Sequence, residues 1–209
     1  MDNNRTSATP NAYIALIYMM LHALQEYGLQ HAVRHVRPRS KRFINYKKMK
    51  NIMLIFDSDA MERNEAIKNI IVDLQEARKR VVAWGYADKK IINSPILPTF
   101  NLICRADLDF MMRPKKAVIQ ALQEMHFDCV INFSDARSIP TTHLLLNTDA
   151  DCKIGYVTSL NATSGSSLYD FSICYAEDEL PQVDEEDGND RRIRHLWNTL
   201  LPYLQNIQS

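Results

Sequence analysis

From Asn51 onward the chain alternates short apolar runs with stretches in which apolar residues recur every three or four positions. The runs are Asn51–Phe56, Arg80–Trp84, Phe127–Phe133, Cys152–Val157 and Asp170–Tyr175, with a shorter candidate at Phe100–Cys104. Each is four to eight residues long and rich in Val, Ile, Phe and Tyr, the signature of a buried strand. Between them Ile67, Ile70, Ile71 and Leu74 fall on one helical face, as do Ala117, Val118, Ala121, Leu122 and Met125. Ile139–Asn147 reads as a short helix. A last helix carries Ile193, Leu196, Trp197, Leu200, Leu201 and Leu204 on one stripe. Strands alternating with helices predict an α/β domain, a Rossmann-like three-layer sandwich with a mostly parallel sheet. Gly85 is expected to end the second strand, and Pro114 to sit in the first turn of the helix after it.

The first fifty residues follow another pattern. Residues 1–10 are polar and read as a disordered tail. Residues 11–50 form an N-terminal helix and a basic connector, and 51–209 the α/β domain. The helix is expected to run from about Asn11 to the Arg37-Pro38 boundary, weakened at Gly28. From Tyr13 to Leu21 it is apolar on every side, and one domain surface cannot cover all faces of a helix. That predicts a contact element, read first as a homo-oligomer contact and second as peripheral membrane attachment. The apolar run Ala12–Leu24 spans about 20 Å as a helix, short of a ~30 Å hydrocarbon core.

Composition changes this picture little; charge order changes it more. The formal net charge is zero, with 25 basic and 25 acidic residues. Yet Tyr27–Phe56 holds no acid and carries Arg34, Arg37, Arg39, Lys41, Arg42, Lys47, Lys48 and Lys50, whereas Glu177–Asp190 holds eight acids and no base. A basic block can attract an anionic surface; the plainer reading is a solvated face paired with the acidic segment of this chain or of a partner. Aromatic residues do not interleave with the block in the manner of a nucleic-acid platform, so nucleic acid is not the expected partner. Cys104, Cys129, Cys152 and Cys174 stand singly in or beside strands, without metal-ligand spacing. They read as small buried hydrophobes in a reducing, cytoplasmic setting.

Candidate chemistry gathers at one place. Asp57-Ser58-Asp59 follows the first strand, and ligands in open α/β sheets sit outside the carboxyl ends of strands. Ser134 and Asp135 end another strand, so Asp57, Ser58, Asp59, Ser134 and Asp135 form the tentative ligand site. Two carboxylates could hold Mg²⁺ through oxygen ligands. The structural alternative makes Asp59 a helix cap, with Glu62 completing a capping box. None of the five glycines forms a GxGxxG motif or a P-loop, so no dinucleotide is expected. No GxSxG elbow and no HExxH motif appears; His143 reads as a surface or packed residue.

Strand-then-DxD resembles the nucleophile motif of haloacid-dehalogenase phosphatases and the metal motif of some glycosyltransferases, with Ser134 in the place of a second phosphatase motif. Met61 stands where those phosphatases carry Thr or Val, and Asp149 and Asp151 precede a strand instead of following one. Phe127–Tyr156, with Lys153 and Gly155, is similar to the acceptor domain of heptosyltransferase-like enzymes, whose second nucleotide-sugar domain this chain lacks. Taken together, Phe127–Phe133, Leu144–Leu146, Cys152–Tyr156 and Tyr169–Ile173 resemble a small bacterial family of uncharacterised proteins with a basic N-terminal helix and a Rossmann-like domain. That resemblance implies a fold and no activity. The expectation is a binding or accessory domain without a cofactor; the alternative is a Mg²⁺-dependent phosphate-ester or sugar-phosphate enzyme centred on Asp57 and Asp59.

Overall fold

Every apolar run becomes a strand, and the six strands among the described residues are all parallel. The computed structural model describes residues 10–36, 39, 41–42, 44–58, 64–91, 100–159, 168–181 and 187–206. The strands are β1 (Asn51–Asp57), β2 (Arg80–Tyr86), β3 (Asn101–Ile103), β4 (His126–Asn132), β5 (Asp149–Thr158) and β6 (Phe171–Tyr175). They form one sheet in the order β3-β2-β1-β4-β5-β6. The chain builds outward from β1 through β2 to β3, then returns to the other side of β1 with β4. The strand order therefore reverses between β1 and β4.

Among the described residues, five α-helices flank the sheet: α1 (Pro10–Arg34), α2 (Glu65–Glu76), α3 (Lys116–Gln123), α4 (Ile139–Asn147) and α5 (Gly188–Asn206). Alternation along β1 divides the core. Ile52, Leu54 and Phe56 join Ile67, Ile70 and Leu74 of α2 and Leu196, Trp197 and Leu200 of α5 on one face. Met53 and Ile55 join Leu122 of α3 and Leu144 and Leu145 of α4 on the other, where Val33 of α1 also packs. Strands covered on both sides are near-continuously apolar, and five consecutive residues of β1 are fully buried. Cys129 and Cys152 lie side by side in register across β4 and β5.

Several expectations shift. α1 continues through Gly28 and ends at Arg34, short of the Pro boundary. β2 runs through Gly85 instead of ending there. A Cβ on Gly85 would lie 2.6 Å from the Phe56 ring and 2.7 Å from Leu102, so close packing, not a turn, requires glycine. Pro114 stands two residues ahead of α3, and Ala117, expected on its apolar face, is exposed.

The basic connector does not pair with the acidic segment among the described residues. Arg39 and Lys41 both bind Asp170, Lys41 at 3.2 Å. Arg39 also donates to the backbone oxygens of Ala150 and Asp151 at 3.0 and 2.8 Å. These partners lie at the amino ends of β5 and β6, whereas Glu177–Glu179 follows β6 at the carboxyl end. A parallel sheet puts the two segments at opposite edges, which is why they do not meet. The Asp128 carboxylate accepts the Lys50 and Asn51 N–H groups at the same amino edge.

Candidate functional site

The reversal between β1 and β4 opens the place where α/β sheets bind ligands. β1 delivers Asp57 as its last residue, and β4 delivers Ser134 and Asp135 just beyond its end. Phe133 N–H bonds to the Ile55 carbonyl at 2.8 Å, which keeps the two chain ends together past the last paired strand residues. α4 starts here too, and the Ser138 hydroxyl ahead of it donates to Asp57 Oδ1 at 3.0 Å. From the other face, Asn189 at the start of α5 donates its side-chain amide to the Asp57 carbonyl at 2.5 Å.

Asp57 keeps some solvent exposure as a residue, but its carboxyl group is walled by protein on most sides. Burial pushes its pKa up to about 6; the Ser138 and Ser134 hydroxyls oppose that rise, Asp135 adds to it, and the Arg192 charge opposes it. Among the described residues no cation contacts the carboxylate directly, and desolvation prevails. Ser134 Oγ is buried and has no hydrogen bond of ordinary geometry, although it stands close enough to favour ionised Asp57. Asp135 goes the other way. The Arg137 guanidinium holds it in two hydrogen bonds of 3.1 and 2.8 Å, and its pKa falls below the usual carboxylate value despite partial burial.

The backbone carrying Ser134 is fixed by a chain of contacts. Asn132 accepts the Ser134 N–H at 3.0 Å and donates to the Tyr169 hydroxyl at 2.8 Å. The Tyr169 ring lies against Gly155, where a Cβ would come within 2.3 Å of it. Gly155 thus has a packing role. Lys153, the other residue shared with the heptosyltransferase-like pattern, is buried and donates to the Leu145 carbonyl near the end of α4. A cation there complements the helix dipole; burial still lowers its pKa to about 8.

The expected residues are only partly assembled. Asp57, Ser134 and Asp135 are brought together. Ser58 turns away: its hydroxyl bonds Asn64 at 3.2 Å and its N–H bonds the Tyr86 carbonyl at 2.7 Å. Asp59, and with it Met61 and Glu62, lies outside the described residues. The cap of α2 is supplied from elsewhere. Asn64 precedes the helix in a left-handed conformation, φ 42°, and Asp190 of α5 accepts the Glu65 N–H at 2.9 Å. Asp149 and Asp151 stand at the amino end of β5, far from Asp57, where His126 lies 2.9 and 3.5 Å from them. No group of three His, Cys, Asp or Glu among the described residues could hold a metal ion. His143 is buried inside the fold, and desolvation lowers its pKa to about 4.

Sequence reasoning missed Ser138, Asn189 and Arg192. Ser138 had a local signal, since it directly precedes a helix with Pro at its second position. Asn189 and Arg192 lie more than 130 residues beyond Asp57 and had none.

Residues 23–186 match the model of a family of unknown function, DUF6913. The chain belongs to this family. The matched region begins midway along α1 and stops before α5, so it includes Asp57, Ser134, Asp135 and Ser138 but neither Asn189 nor Arg192. No curated protein and no solved structure matches the chain. Among the described residues, no helix is long and apolar enough to cross a membrane.

Proposed function

We propose that this DUF6913 chain is a binding or accessory domain whose ligand sits over Asp57 and Ser134 at the β1–β4 reversal. One observation carries the reading. Asp57 is a buried carboxyl that no cation among the described residues contacts, its pKa raised to about 6 beside the buried Ser134 hydroxyl, which makes no hydrogen bond of ordinary geometry among those residues. A perturbed titratable group at the carboxyl ends of strands, where a parallel sheet reverses its order, is a functional-site candidate. The ligand this geometry suits offers a donor to Asp57 and an acceptor to Ser134, as a hydroxyl group does. Arg192 adds a positive charge near Asp57, whereas Arg137 is paired with Asp135.

Two features favour binding over turnover. Asn189 and Ser138 already engage Asp57, and Asp135 is neutralised by Arg137 instead of standing free beside Asp57 for a shared cation. The Mg²⁺-dependent phosphate-ester reading has one observation in its favour, the Asp57 pKa of about 6, suited to acid–base work. The free cysteines support a reducing, cytoplasmic location.

The test is a thermal-shift screen with nucleosides, sugar phosphates and hydroxy acids, each with and without MgCl₂. A compound that stabilises the wild type but neither Asp57→Asn nor Ser134→Ala supports the site. No hit across the panel, or hits indifferent to both substitutions, counts against it. Hydrolysis of p-nitrophenyl phosphate that needs Mg²⁺ and vanishes in Asp57→Asn would transfer the assignment to the enzyme.

A further inference from the structure

We propose that the N-terminal half of α1 is a self-association surface that packs against a second copy of this chain. α1 is two structures in one helix. Its C-terminal half belongs to the domain: Leu29 is buried, Val33 packs into the core, and Gln25 donates to the Phe110 carbonyl at 2.7 Å. Gly28 lets the helix approach closely, since a Cβ there would lie 2.8 Å from Met111 Cε. Its N-terminal half touches little. All eight residues from Tyr13 to Met20 are exposed, and eight residues exceed two helical turns, so every face is open.

That exposed half is apolar. Nine large apolar side chains between Tyr13 and Tyr27 are 49% to 69% exposed. At roughly 200 Å² of accessible surface each, they present on the order of 1,000 Å². A stable interface needs about 800 Å² per partner, and monomers rarely show apolar patches above a few hundred Å². Phe110, 69% exposed and next to α1 through Gln25, extends the same surface.

The chemistry favours a second copy as the occupant. An isologous contact sets a patch against itself, so it must not repel itself. No Lys or Arg occurs between Thr6 and Val33, and the exposed pair His22 and Glu26 lie 3.6 Å apart on the same helix. A membrane surface selects instead for a helix with one cationic face. Of the basic connector behind it, Arg39 and Lys41 are turned to Asp170.

Sedimentation equilibrium of the full chain at roughly 10–100 µM tests this, a range in which ordinary homodimers stay assembled. The expected mass is twice 24.2 kDa. The double variant Ile17→Glu/Tyr18→Glu charges two faces of the exposed half and should weaken the dimer at least about 100-fold. Both side chains are solvent-exposed in the single chain, so the fold does not need them, and unchanged circular dichroism of the domain would verify that. Tyr203→Glu, at an exposed apolar residue of α5, should leave the dimer intact. A monomeric wild type, or a dimer indifferent to the double variant, overturns the proposal. Flotation of a monomeric wild type with phosphatidylcholine–phosphatidylglycerol vesicles, lost in the double variant, also overturns it and assigns the surface to lipid.

Discussion

The two edges of the sheet treat the same side chain in opposite ways. Asp170, at the amino edge, receives Arg39, Lys41 and the Lys153 N–H, and these partners lower its pKa although it is partly buried. Asp57, at the carboxyl edge, receives the Ser138 hydroxyl and, among the described residues, no cation, and burial raises its pKa to about 6. One carboxylate is used to tie the N-terminal connector onto the sheet. The other is kept at an energetic disadvantage, which folding alone gives no reason to keep. A buried charge that is paired speaks for architecture, and one left short of partners speaks for a task.

The largest expected effect tests the first half of that contrast. Asp170→Ala leaves two cations and a backbone N–H without their shared acceptor, so it should destabilise the fold by about 3 kcal/mol at pH 7. Urea denaturation at fixed protein concentration measures it. A loss under about 1 kcal/mol would mean that the connector is held by Arg39's carbonyl contacts alone.

Asp57→Asn tests the second half, and its sign is opposite. The folded pKa lies above the unfolded one, so the native state binds the proton more tightly. The destabilisation from ionised Asp57 is therefore complete above pH 6 and fades as pH falls toward 4. Asparagine removes the charge and keeps an acceptor for Ser138. It should stabilise the protein by roughly 2–3 kcal/mol at pH 7.5 and by only about 0.5 kcal/mol at pH 4, from a shift of about two pKa units. Equal effects at both pH values would show that desolvation is not what raises the pKa. A stabilised variant that has also lost its ligand would join the two halves of the contrast in one residue.

How much of this was legible beforehand follows from the range of each interaction. Strand and helix periods are local, so Ile67–Leu74 of α2 and Ile139–Asn147 of α4 could be read directly, and the sheet with them. Gly85 was misread as a strand end because its true reason, the Phe56 ring beneath it, lies on another strand. Asp57, Ser134 and Asp135 were legible because strand ends are where ligand chemistry sits. Ser58 was misread because a strand-end residue can turn back to its neighbours, here Asn64 and Tyr86. The pairing of charges was not legible at all. Basic and acidic runs look complementary in one dimension, while direction in a parallel sheet sets them at opposite edges, and Asp170, a lone acid between strands, takes the connector instead.

His126 gives the smallest effect and the finest test of the amino edge. Its Nδ1 lies 2.9 Å from Asp149 and its Nε2 3.5 Å from Asp151, and the Asp149 hydrogen bond raises its pKa above 6.5. A raised histidine pKa adds stability that is full below pH 6.5 and lost as pH climbs through the folded value. His126 is half exposed, with a side-chain exposure of 53%, so solvent screens most of the pairing. His126→Asn should therefore cost under about 0.5 kcal/mol at pH 6, and progressively less as pH climbs through the folded value toward 8.5. Paired denaturation curves at the two pH values resolve the difference. A cost above 1 kcal/mol confined to the acid side would make this edge pH-sensitive in its own right, and the contrast with Asp57 would then be one of sign, not of kind.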